Sequence, residues 1–125
     1  MFQDTVLSLK KLAAASFLLA EQALKAFGRI DILVNNAGIQ APPGMPFTRN
    51  AAKDWDLVYD VNVKGIFIVS KAVAESMIKQ KYGKIVNIAS IAGQIPSPTS
   101  PPYSISKAGA IALTRSSAIR GKPPY

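Results

Sequence analysis

The sequence predicts an α/β protein built on a parallel sheet, and three observations carry that expectation. Two short β-branched runs, IDILV at residues 30–34 and IVNIA at 85–89, are each bounded by glycines or turn residues. Between them, from about residue 53 to 81, apolar side chains recur at helical spacing. A strand, a long helix and a strand in that order make a βαβ unit, whose crossover runs the strands parallel with right-handed connection. The 125 residues suffice for one domain or part of one, and a 49% hydrophobic content promises a packed aliphatic core.

Taken in order, Ala13, Phe17, Ala20, Leu24 and Phe27 step by four and three, which predicts one buried helical face, and Gly28 supplies its stop. The first strand follows and ends in the turn residues Asn35, Asn36 and Gly38. Pro42, Pro43, Gly44 and Pro46 make residues 40–50 a loop. In the helical stretch 53–81, Trp55, Val58, Asn62, Ile66, Val69, Val73 and Met77 share a stripe. Asn62 is its polar exception, either a satisfied interior amide or a functional one. Gly65 permits close packing or a bend. Asp56 and Asp60 are flanked by Lys53 and Lys64 at helical spacing, which reads as a paired, solvated face rather than a metal site. Gly83 precedes the second strand, and Ser90 ends it. The four prolines of residues 95–102 exclude regular structure there. A last helix is expected from about residue 103 to 120, with Gly121, Pro123 and Pro124 closing the chain. No internal repeat is present.

Composition narrows the chemistry. With no histidine and no cysteine, disulfides, thiolate catalysis and the common zinc and haem ligand sets are excluded, no metal site is expected, and a redox role requires an organic cofactor. The net charge of +8 comes from basic residues scattered between Lys10 and Lys122 without a block of five, which reads as solvated surface and not as a nucleic-acid footprint. Lys10-Lys11 followed by LAAASFLLA imitates a secretory signal. Asp4 before the lysines, Leu18 at the would-be cleavage site and an apolar pattern continuing past Glu21 to Phe27 argue against one. No apolar run reaches the length of a membrane span, so the expectation is a cytoplasmic chain without membrane contact.

Tyr103 and Lys107 stand four residues apart in YSISK, so on a helix the phenol and the ammonium share a face and the cation can favour the phenolate. Ser90 lies thirteen residues upstream of Tyr103. In open parallel sheets ligands bind outside the carboxyl ends of the strands, where both NNAG (35–38) and Ser90 fall. A lone YxxxK is common on helix surfaces; its weight comes from converging with these other positions.

The segments FGRIDILVNNAG, DVNVKG, KIVNIASIAG and YSISKAGAIALT closely resemble the short-chain dehydrogenase/reductase family, in order, over about residues 23–117. The resemblance implies a partial Rossmann-like, doubly wound parallel sheet in three α/β/α layers, with residues 1–125 as a single partial domain. It implies an oxidoreductase that moves hydride between NAD or NADP and a small alcohol or carbonyl compound. Carried over position by position, Tyr103 resembles the family's general acid-base, Lys107 the residue that supports it and holds the nicotinamide ribose, Ser90 the residue that orients the substrate oxygen, and Asn62 the residue that anchors a relay water. Asn35, Asn36, Ala37 and Gly38 correspond to the motif that braces the sheet and borders the adenosine side of the cofactor.

The family's TGxxxGxG turn is missing. The glycines are 28, 38, 44, 65, 83, 93, 109 and 121, the closest two six residues apart, so no phosphate-cradling turn can be written onto them. After ALTRSSA the chain runs into IRGKPPY where a relative would continue toward another strand. The sheet is therefore expected to be truncated at both ends, with weak or no cofactor binding by the isolated chain. The alternative to an enzyme is an inactive interaction fragment, a homo-oligomer or a partner of a full-length relative through the two helices that carry Asn62 and Tyr103.

Overall fold

A computed structural model describes residues 2–40 and 45–118, with side chains from Lys10 onward. The element order is α1 (Phe2–Phe27), β1 (Ile32–Asn35), a 3-10 turn (Phe47–Arg49), α2 (Ala52–Tyr59), a π turn (Asp60–Gly65), α3 (Ile66–Lys79), β2 (Lys84–Asn87), a second 3-10 turn (Ile91–Gly93) and α4 (Pro101–Ser117). The α/β expectation holds: β1 and β2 pair in one parallel sheet, opened by the Lys84 N–H on the Asp31 carbonyl at 2.9 Å. The described residues group into two compact units.

The first unit takes the chain through Asn36 and again from Lys64 to Val86. Its core is Ala20 of α1 with Val73 and Met77 of α3, flanked by Ile30, Leu33 and Ala72. The expected apolar face of α1 is corrected here. Phe17 is 47% and Phe27 80% exposed, while Ser16 and Ala20 are buried. Small side chains let α1 and α3 approach closely, which a phenyl ring at that seam would prevent. Ser16 can be buried because its hydroxyl donates to the Leu12 carbonyl at 2.8 Å. Gly28 ends α1 as expected, with φ 78° and its N–H on the Leu24 carbonyl at 2.8 Å. Gln80 then ties the two strand entrances together by donating to the carbonyls of Ile30 and Tyr82, both at 2.6 Å. β1 starts at Ile32, two residues beyond the expected start.

The second unit holds the described part of Ala37–Val63 and everything described from Asn87 onward. The expected helical stripe is buried at Val58 and Asn62 in this unit and at Ile66, Val73 and Met77 in the first, yet it is not one α-helix. Successive four-residue steps from Val58 to Asn62 to Ile66 each overshoot an α-turn by about 40°. The wider π turn at Asp60–Gly65 absorbs that drift and keeps Asn62 facing inward. α4 begins two residues earlier than expected, with Pro101 and Pro102 in its first turn, where a missing N–H costs nothing. Its inner face is small: Ser104, Ser106 and Ala110 are buried, and a Cβ on Gly109 would sit 3.1 Å from Val63 Cγ2.

The loop expected over 40–50 contains the Phe47–Arg49 turn, with Phe47 edge-on to Trp55 at 6.3 Å between ring centroids; its positions 41–44 lie outside the described residues. α4 ends at Ser117, three residues before the expected end near 120, where Ala118 turns extended, and Gly121, Pro123 and Pro124 lie outside the described residues. No helix among the described residues is long and apolar enough to cross a membrane, and no cluster of acidic side chains among them is placed to hold a metal ion.

Candidate active site

The second unit brings together residues that are far apart in sequence. Lys107 points inward from α4 with 4% of its surface exposed, and its Nζ donates to the Ile88 carbonyl at 2.7 Å. That carbonyl belongs to the residue just past β2, which stops two residues short of the expected Ala89. The same Nζ lies 5.7 Å from the centroid of the Tyr103 ring, one turn away and half-buried. The pairing that the spacing of YSISK implied is therefore formed, with the cation on the buried side of the phenol.

Gly38 meets this pair from the other strand end. A Cβ there would lie 3.2 Å from Lys107 Nζ and 3.5 Å from Asn62 Oδ1. Only a residue without a side chain leaves that space open. Asn62 has no exposed surface and clamps the next residue on both sides: its Oδ1 accepts from the Ile39 N–H and its Nδ2 donates to the Ile39 carbonyl, each at 2.8 Å. The second Nδ2 hydrogen goes to Ser106 Oγ at 2.9 Å, and Ser106 in turn donates to the Tyr103 carbonyl at 2.7 Å. One chain of hydrogen bonds thus runs from the segment after NNAG through the π turn to the Tyr103 turn of α4.

Ser90 stands at the head of the second 3-10 turn, accepting the Ala92 N–H on its Oγ at 3.2 Å. That turn is pressed against α4: a Cβ on Gly93 would fall 2.7 Å from the Lys107 carbonyl carbon and 2.8 Å from the Ala108 nitrogen. Ser90 is held in this way on the loop that abuts the Lys107 turn. Of the remaining expected positions, Asn36 and Ala37 are exposed, and Asn35 is buried in the first unit, where its Nδ2 donates to Ser70 Oγ of α3 at 3.1 Å. The NNAG motif is thus divided, its asparagines with the first unit and Ala37 and Gly38 with the second.

Sequence reasoning passed over Ser106, Ile39 and Gly93. A signal existed for the first: between Tyr103 and Ala110 every residue except Ile105 and Lys107 is small, a pattern that marks close approach to a helix rather than an ordinary apolar core. The contacts of Ile39 are made by its backbone and leave no trace in residue type.

A sequence model described as short chain dehydrogenase matches residues 10–123. A 3-oxoacyl-[acyl-carrier-protein] reductase of Synechocystis is 44% identical over 97 residues, covering 78% of this chain and 38% of that protein. Among solved structures, an NAD+-bound xylitol dehydrogenase superposes with a TM-score of 0.81 at 40% identity, covering 85% of this chain and 40% of the other. A gluconate 5-dehydrogenase of Burkholderia cenocepacia, in complex with NADP and tartrate, superposes with a TM-score of 0.77 at 37% identity, over 84% of this chain and 41% of that one. The chain spans about two fifths of the length of each.

Proposed function

Because the chain belongs to the short chain dehydrogenase family, we propose that it carries the proton-transfer end of an NAD- or NADP-dependent hydride-transfer site acting on a small alcohol or carbonyl compound. The observation that carries this is the meeting of Gly38, Asn62 and Lys107, with a buried ammonium facing the Tyr103 ring.

The residues present suit one end of a nicotinamide dinucleotide. Lys107 has three N–H donors, one of which serves Ile88, and the backbone of Gly38 approaches them closely because it carries no side chain. Lys107 would hold the nicotinamide ribose hydroxyls, with Tyr103 beside it and residues Asn35, Asn36, Ala37 and Gly38 bordering the adenosine side. The described residues offer no glycine-rich turn for the pyrophosphate. When bound, the dinucleotide supplies or accepts the hydride.

In the oxidation direction Tyr103 takes the hydroxyl proton as the alcohol loses hydride from its carbon, and in reduction it returns a proton to the carbonyl oxygen. The Lys107 charge stabilises the negative charge that develops on the phenol oxygen. Ser90 accepts the Ala92 N–H, and its own O–H remains to donate to the substrate oxygen. Asn62 acts as a brace: both its amide hydrogens are committed to Ile39 and Ser106. A relay water at this residue would have to donate to it, not accept from its side chain.

Titration of the chain with NADH and NADPH, followed by nicotinamide fluorescence, tests the reading. Saturable binding that disappears in Lys107→Ala supports it. Wild-type binding retained in Lys107→Ala sinks it.

A further inference from the structure

The sequence holds no block of five basic residues, yet the fold gathers five at one end of the first unit. Lys25 lies in the last turn of α1 and Lys79 in the last turn of α3; Arg29 precedes β1, Lys81 precedes β2 and Lys84 opens it. Backbone contacts at the two strand entrances bring these segments together. The Lys84 N–H is on the Asp31 carbonyl at 2.9 Å, and the Gln80 amide joins the carbonyls of Ile30 and Tyr82. Residues 25–31 and 79–84 thus carry five basic side chains against one acid, a surplus of four that is half of the net +8. That acid, Asp31, is taken by Arg29. Among the described residues no ion pair engages Lys25, Lys79, Lys81 or Lys84, and Glu21 and Glu75 stand a turn further back on their helices.

Lys25 and Lys79 have a local reason to be basic, because each meets the negative end of its own helix dipole. Lys81 has none. At the end of α3 the Tyr82 N–H reaches the Met77 carbonyl at 3.1 Å and the Lys81 N–H the Ile78 carbonyl at 3.0 Å. These two bonds leave Lys81 left-handed at φ 54°, the position glycine usually takes because a β-carbon there is unfavourable. A lysine so placed works against the fold, and its side chain is exposed beside those of Tyr82 and Lys84. Backbone strain under an exposed charge points to a use for the charge.

Every residue from Lys81 to Lys84 is exposed, which presents a surface and not a groove that would enclose a peptide. The one guanidinium, whose planar fork suits carboxylates, already holds Asp31. Four ammonium groups remain, compact point charges that meet phosphate oxygens without a fixed orientation. Tyr82, half-exposed and within electrostatic reach of Arg29, has the amphipathic ring that settles at a boundary between lipid and water. We infer that this end of the first unit docks on a membrane surface that displays anionic phospholipids. The apolar run lengths in the sequence bear on spanning segments only, and a surface contact needs none. The contact is independent of the hydride-transfer reading.

Co-sedimentation of the full chain tests it, with phosphatidylcholine vesicles containing about 30% phosphatidylserine, with phosphatidylcholine alone and without vesicles. The chain is expected to pellet with the anionic vesicles above both controls, and less so as salt is added. Lys81→Gly should raise the lipid concentration for half-binding about fivefold while raising the thermal midpoint, since it removes a charge and the strain together. Lys84→Gln, which leaves the turn backbone alone, should weaken binding to a similar extent. Lys10→Gln, fifteen residues from Lys25 along α1, should leave it unchanged. The inference is overturned if phosphatidylcholine alone binds as well, if Lys81→Gly and Lys84→Gln bind like the parent chain, or if Lys10→Gln weakens binding as much, which would assign the attraction to net charge. It is equally overturned if short single-stranded DNA displaces the chain from the vesicles at a lower phosphate concentration than the lipid supplies.

Discussion

Asn62 shows how much structural work one interior amide can do. It meets the Ile39 N–H and carbonyl as a neighbouring strand would, and reaches Ser106 with its spare hydrogen. Asn62→Ala removes three bonds at once and leaves buried groups unpaired, each costing about 1–3 kcal/mol. A loss of about 3 kcal/mol is expected in urea denaturation, and an unchanged midpoint would show that the clamp is not formed in solution. Lys107 provides the contrast. Its buried charge is useful to a ligand but expensive to the fold, so Lys107→Met, of similar length and no charge, is expected to leave stability within about 1 kcal/mol while removing whatever NADH binding the parent chain shows. Loss of both together would assign Lys107 to the fold alone.

At the level of elements, the site depends on how closely the second 3-10 turn approaches α4. Gly93 has backbone, not a flexible side chain, where a Cβ would go, at 2.7–2.9 Å. Gly93→Ala must therefore push the turn away from α4 and carry Ser90 with it, at a cost of about 1–3 kcal/mol. Thermal melting measures that cost, and a melt identical to that of the parent chain would mean the two elements are not in contact. The π turn is the other positioning device. Its position was half legible: the four-residue steps through Asn62 were visible in the sequence, but whether the helix bends, breaks or widens there is decided by what Asn62 finds to bond, and Ile39 is twenty-three residues away. The prolines before Tyr103 were misread for a related reason. Their ban from helices applies to interior positions, and only the completed helix shows which positions are interior.

The whole molecule leaves much of its sheet uncovered. Ile32, Val34 and Val86 are 59%, 54% and 45% exposed, and the fully buried apolar set among the described residues is small. Among the described residues the sheet has two strands only, and backbone left unpaired along a sheet edge favours association between chains. Sedimentation velocity is expected to show the average mass rising with concentration, and Val34→Lys to reduce that rise; a single monomeric species at all concentrations would contradict the expectation.

The sequence by itself determined the α/β class, the strand and helix order and the family, because periodicity and spaced motifs are local properties that survive without coordinates. It also determined that Tyr103 and Lys107 share a helix face, since four residues of helix leave no alternative. Which groups meet across the fold was decided only by tertiary structure. Gly38 against Lys107, Asn62 against Ile39, and Lys107 on the Ile88 carbonyl each have a backbone atom or a missing side chain on one side, and Asn62 meets the Ser106 hydroxyl across forty-four residues of chain. Residue type encodes what an atom prefers to bond, but the packing of elements decides which partner is within reach.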